Sequence, residues 1–208
     1  RFTSLRTVSI EEASAFLSWK EKEAPRIALG VMLCILSPVL LLFLGGAQEM
    51  GRIAMTENQA AGIGMVVLLL LVSCAVAIFV TSSIHARPFE YLEKEDIETL
   101  YGVSGMVRER KNKFQPTFTR QLTVGIVLCV LACIPLFFSL IFFGDESFAQ
   151  VIAVCALLVL ISVGALLIVR VSIIWGGYQQ VLEEGDYTRE AKADAKKTAA
   201  DTKKTTQQ

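Results

Sequence analysis

Four uncharged apolar runs govern what this chain can become. They cover residues 27–46, 60–84, 122–143 and 148–169, and none contains Asp, Glu, Lys or Arg. Each has at least the roughly 20 residues a helix needs to cross about 30 Å of hydrocarbon. The first run alone holds twelve Leu, Ile, Val or Phe residues. At roughly −0.3 to −0.6 kcal/mol apiece, with no charge at roughly +2.5 to +3.5 kcal/mol to oppose them, its transfer into lipid is favoured by several kcal/mol. In a 208-residue chain that is 53% hydrophobic, too little polar sequence remains to wrap four such runs in a water-soluble shell. The expected fold class is an all-α integral membrane protein with four transmembrane helices.

Charge is balanced overall but uneven along the chain. Arg1, Arg6, Lys20, Lys22 and Arg26 precede the first run. Arg87, Lys94, Arg108, Arg110, Lys111, Lys113 and Arg120 lie between the second and third. Arg170, Arg189, Lys192, Lys196, Lys197, Lys203 and Lys204 follow the fourth, whereas the two remaining loops hold only Arg52. By the positive-inside rule, both termini and the central loop face the cytoplasm, and a loop near residues 47–59 and a turn at 144–147 face outward. No signal peptide is visible, and the missing initial Met is consistent with a chain that begins inside a longer protein.

An apolar phrase occurs twice. "LGVMLCILSPV" at 29–39 is answered by "VGIVLCVLACI" at 124–134, so that Gly30, Leu33, Cys34 and Leu36 align with Gly125, Leu128, Cys129 and Leu131 at an offset of ninety-five. "YLEKED" at 91–96 is answered by "VLEEGD" at 181–186, and Cys74–Ala75 by Gly164–Ala165, at an offset of ninety. Two spans per half predict tandem repeats inserted in the same sense, with a pseudo-twofold axis along the membrane normal. Gly30, Cys34 and Pro38 share one helix face, as do Gly125, Cys129 and Cys133. Because lipid tails are as apolar as Leu, helices associate in a bilayer through such small residues, and spans one and three are expected to meet through these two faces.

The polar segments read as follows. Residues 1–26 form a cytoplasmic amphipathic helix: Ser9 and Glu12 fit a capping box, Ile10, Ala13, Phe16 and Leu17 share a face, and Pro25 marks a break before the first span. In the central loop Phe89, Leu92, Ile97, Leu100 and Tyr101 recur at helical spacing, closing the first repeat (27–101). A basic linker, 102–119, joins it to the second (120–186). Arg108, Arg110, Lys111 and Lys113 are candidates for contact with anionic lipid headgroups or a partner. Residues 187–208, rich in Ala, Lys, Thr and Asp, are expected to form a disordered polar tail. Trp19, Trp175 and Tyr178 read as interface anchors.

No catalytic constellation emerges. The five cysteines lie inside spans without zinc spacing and read as small packing residues. His85, the lone histidine, ends span two without a nucleophile or second ligand beside it. P-loop, metalloprotease and paired-carboxylate patterns are absent, so no enzyme activity, cofactor or metal is expected. No ionisable residue lies at membrane depth, which disfavours an ion-coupled transporter.

"RIALGVMLCILSPV", "FEYLEKED", "PTFTRQ" and "IIWGGYQQVLEEGDYT" resemble the membrane region of a bacterial family common in Firmicutes, over about residues 5–190. The resemblance implies an N-terminal Xre-type helix-turn-helix domain fused outside this chain, as in membrane-bound transcriptional regulators; other members carry a permease label. DNA binding would belong to that domain, and no nucleic acid is expected to bind this chain itself. The resulting expectation is a non-enzymatic four-span module that anchors or signals to a cytoplasmic regulatory domain or partner, responding to lipid state or a small apolar ligand. The alternative class is a small permease or transport subunit.

Overall fold

A computed structural model describes residues 6–94, 97–100, 102–143 and 148–205. The order of elements is β1 (Arg6–Val8), α1 (Ile10–Leu36), α2 (Val39–Glu49), α3 (Glu57–Ala86), a 3₁₀ turn (Arg87–Phe89), α4 (Tyr91–Lys94), β2 (Ile97–Thr99), α5 (Val103–Leu131), α6 (Ile134–Phe143) and α7 (Phe148–Thr205). Four helical stretches are long and apolar enough to cross a membrane: Ile10–Glu49, Glu57–Phe89, Val103–Phe143 and Phe148–Glu183. Only 11–17% of their most apolar windows is buried within the chain. The α6 side chains Phe137, Phe138, Ile141 and Phe142 all point outward, Ile141 with 77% of its surface exposed. Apolar surface on this scale needs lipid or protein to cover it.

The chain divides into two compact units, one of residues 1–21, 86–116 and 173–208, the other of 22–85 and 117–172. Their cores differ in kind. The first buries large side chains: Val8, Phe16, Leu17, Leu92, Ile97, Val103, Val107 and Val181. That is the outcome when water drives apolar groups together. Among the described residues of the second unit, Glu23 and Val171 apart, every buried residue is Gly, Ala or Ser, including Ala28, Gly30, Ala75, Gly125, Ser162 and Gly164. Lipid offers no such drive, and helices there gain from close backbone approach.

In the first unit β1 and β2 pair in parallel, Arg6 opposite Ile97 and Val8 opposite Thr99. The pairing extends to Leu100, whose N–H donates to the Val8 carbonyl at 3.1 Å. This overturns the helical reading of the central loop at Ile97 and Leu100, while Phe89 and Leu92 do lie in helical turns. Ile97 and Thr99 are both buried, as two residues on one face of a strand can be. Tyr101 lies outside the described residues. The capping box is present as expected: Ser9 N–H donates to Glu12 Oε2, and Glu12 N–H to Ser9 Oγ, both at 3.2 Å. Ala13, Phe16 and Leu17 are buried, but Ile10 at the helix start stays exposed.

The helix interruptions differ from the sequence expectation. Pro25 lies inside α1 and Pro116 inside α5, and neither breaks its helix. Ala24 and Ala28, on either side of Pro25, are fully buried. The interruptions fall instead at residues 37–38 and 132–133, ninety-five apart. At the first, Pro38 has no N–H for the Cys34 carbonyl. Ser37 Oγ donates to that carbonyl at 2.8 Å and satisfies it. At the second, Pro135 sits in the first turn of α6, where its N–H is not needed.

The polar tail also departs from expectation, since α7 stays helical through Thr205. Ala and Lys supply ten of residues 187–205, and both are strong helix formers. Residues 206–208, like residues 144–147 where an outward turn was expected, lie outside the described residues.

Candidate functional site

In the second unit Gly30, Gly125 and Cys129, three of the six residues predicted to pack helices, lie against a neighbouring helix, but not the one expected. A Cβ on Gly30 would lie 2.9 Å from the Phe79 ring and 3.5 Å from Ile78, both on α3. A Cβ on Gly125 would lie 2.7 Å from Ile168 and 3.0 Å from the Gly164 carbonyl, both on α7. The glycines thus seat each hairpin's first helix on its second, and spans one and three do not meet through them. Cys129 joins this contact, its Sγ 2.7 Å from where a Gly164 Cβ would stand. Cys34 and Cys133 are exposed, Pro38 is half-buried, and Cys155 Sγ approaches the Val39 carbonyl at 3.8 Å. The error has a physical source: a glycine marks close approach without naming the neighbour. Among the described residues no three His, Cys, Asp or Glu side chains gather in a way that could hold a metal ion.

The most developed polar cluster joins α1 to α3, at the ends where the first two apolar runs begin and stop. Glu23 is buried, its side chain 4% exposed. Arg26 Nη1 donates to Glu23 Oε1 at 2.8 Å, and Ser82 Oγ donates to Oε2 at 2.7 Å. Both carboxylate oxygens are therefore engaged, which offsets the cost of burying the charge. The Arg26 side chain remains 59% exposed. On α3, Thr81 Oγ1 donates to the Ala77 carbonyl at 2.8 Å, and His85 Nδ1 lies 2.7 Å from the Thr81 carbonyl. A carbonyl can only accept, so Nδ1 carries the proton and Nε2 is left open. A cleft of about 510 Å³ opens here, with Arg26, Thr81, Ser82 and His85 as its polar rim and Leu29, Ala77 and Ile78 as its apolar wall.

Sequence reasoning recorded His85 and Arg26 but missed Glu23 and Ser82 as a pair. The available signal was a Glu three residues before an Arg at the edge of an uncharged run. Nothing in the sequence points to a serine fifty-nine positions away.

The first unit engages the basic residues expected to meet lipid or a partner. Arg110 Nη2 donates to Ser14 Oγ at 3.0 Å, Lys111 Nζ lies 4.8 Å from the centre of the Trp175 ring, and Lys113 Nζ donates to Glu109 Oε1 at 2.7 Å. Arg108 is exposed on α5. Trp19 belongs to a cluster with Phe16 and Phe89, stacked on the latter at 5.1 Å, and its buried indole N–H has no acceptor. Tyr178 Oη donates to Glu21 Oε1 at 3.0 Å, and Gln180 Nε2 to the Leu92 carbonyl at 3.2 Å. These contacts tie α1, α5 and α7 to the central segment. Burial and the nearby Glu12 carboxylate push the Tyr91 phenol above its ordinary range, against a smaller opposing pull from Arg6, whose guanidinium lies 3.9 Å from the ring centre.

Four helices with outward apolar faces and a core of small residues define the class: a multi-pass α-helical membrane protein. No protein-family model matches the chain, and neither a curated protein nor a solved structure does.

Proposed function

We propose that this chain is a non-enzymatic four-span module of the bacterial cytoplasmic membrane that anchors, and signals to, a cytoplasmic regulatory domain or partner. The observation that carries this reading is that α1, α5 and α7 each contribute residues to both units. A tilt or rotation imposed on such a helix in the bilayer would reach the water-packed unit without crossing a loop. The basic flanks support placing that unit in the cytoplasm. The input would be bilayer state or a small apolar ligand.

Tandem architecture belongs to the same proposal. The interruptions at 37–38 and 132–133 support it. So do paired hydrogen bonds at the same offset, Ser37 N–H to the Leu33 carbonyl and Ala132 N–H to the Leu128 carbonyl. Gly30 meets Ile78 and Gly125 meets Ile168, positions that correspond at the two sequence offsets. The resemblance to regulators with a fused helix-turn-helix domain suggests what the partner would be.

The test uses spin labels at Ala15→Cys and Asn112→Cys, both exposed positions of the first unit, in a background with the native cysteines replaced. Their distance distribution is measured in bilayers of short-chain and long-chain phosphatidylcholine. A shift with bilayer thickness supports signalling, and an invariant distribution counts against a bilayer input.

A further inference from the structure

We propose that the cleft between α1 and α3 binds the phosphate headgroup of an anionic phospholipid. The inference rests on lipid surrounding the second unit and not on the signalling reading, so either can fail alone.

Position is the first argument. Arg26 immediately precedes the uncharged run 27–46 and His85 immediately follows 60–84. The cleft therefore lies where apolar surface gives way to polar surface, which in a bilayer is the headgroup level. Its lining follows the same gradient. Leu29, Ala77 and Ile78 offer a wall for glycerol and the start of an acyl chain, and Arg26 supplies the donors, the Thr81 and Ser82 hydroxyls being already committed to the Ala77 carbonyl and Glu23.

Charge is the second argument. Glu23 and Arg26 cancel on paper, but their exposure does not. The carboxylate is buried behind Arg26 and Ser82 with both oxygens occupied, while the guanidinium stands largely in the open. An approaching molecule meets the cation. Glu23 thus acts as a positioning residue that fixes one guanidinium nitrogen and leaves the other donors of the fork outward, the geometry that suits phosphate. His85, whose Nδ1 is held by the Thr81 carbonyl, completes the rim. A cation would be repelled by Arg26, and a wholly apolar occupant would leave the rim unused. A volume of about 510 Å³ accommodates a headgroup with its glycerol.

The experiment measures lipid retention by the full chain in detergent, using native mass spectrometry with phosphatidylglycerol and phosphatidylcholine supplied together. The expected result is a preference of about tenfold for phosphatidylglycerol, the scale of one charge-assisted contact. Arg26→Gln should abolish the preference. Ala77→Phe should do the same without changing charge, because Ala77 is exposed and a larger side chain there fills the cleft, not the core. Arg120→Gln, an exposed juxtamembrane arginine outside the cleft, should leave the preference intact. Each variant is first checked for a wild-type thermal midpoint, with Ala77→Leu replacing Ala77→Phe if that one misfolds. Equal loss in Arg26→Gln and Arg120→Gln would reduce the effect to diffuse charge and overturn the proposal. So would retained preference in the filled cleft, or no preference in the wild type. Displacement of phosphatidylglycerol by inorganic phosphate alone would assign the site to a soluble phosphate and overturn its lipid identity.

Discussion

Gly125 on α5 and Gly164 on α7 face each other so closely that a Cβ on either would lie within 3.0 Å of the other's carbonyl oxygen. These two carbonyl oxygens are backbone and cannot swing aside, whatever the nearby Ile168 and Cys129 side chains do. Gly164→Ala is therefore expected to cost on the order of 1–3 kcal/mol, the usual range for overpacking. Gly176→Ala, on the same helix with nothing within 4 Å of the added carbon, should be neutral or stabilising by up to about 1 kcal/mol. Thermal or denaturant unfolding of the two variants in detergent makes the comparison, and equal midpoints would refute the packing account.

The Ser37 hydroxyl matters because Pro38 leaves the Cys34 carbonyl without its helical donor. Ser37→Ala should cost about 1–3 kcal/mol, the penalty for a buried unsatisfied polar group. In a Pro38→Ala background a backbone N–H is restored, and the same change should cost much less. A double-mutant cycle reads the coupling directly. Additive effects would show that the hydroxyl serves some other purpose.

His85 should be found as the Nδ1–H tautomer when neutral, because the Thr81 carbonyl 2.7 Å away can only accept. Nitrogen chemical shifts of a histidine-labelled sample in micelles distinguish the tautomers. Since His85 is the lone histidine, the signal needs no assignment. An Nε2–H tautomer would contradict the hydrogen bond.

Topology has a direct test. In a background with the native cysteines replaced, Asn58→Cys, at the start of α3, and Asn112→Cys, in the basic part of α5, should react with a membrane-impermeant thiol reagent from opposite sides of the membrane. Labelling of both in intact cells would remove the orientation proposed from the basic flanks.

The capping box and the four spans were legible before any coordinates, for local reasons. Ser9 and Glu12 are three residues apart, and their reciprocal bonds need nothing else. An uncharged run of twenty residues declares its solvent by composition alone. The cluster at Glu23 was not legible: its partner Ser82 comes from another helix, and no local rule pairs a carboxylate with a hydroxyl that far along the chain. Nor were the strands, whose three residues apiece are too short to show a period against the helical spacing around them.

Composition and order by themselves determined that this chain would make helices for lipid, where those helices lie, and which small residues would let them approach, because hydrophobicity and side-chain size are properties each residue carries alone. Tertiary structure decided who meets whom. It set Gly30 against α3 and Gly125 against α7, paired β1 with β2, carried α1 through Pro25 yet interrupted it at Pro38, and turned Glu23 inward so that Arg26 faces out. Those outcomes depend on the neighbour that arrives at each position, and a linear sequence does not record its neighbours.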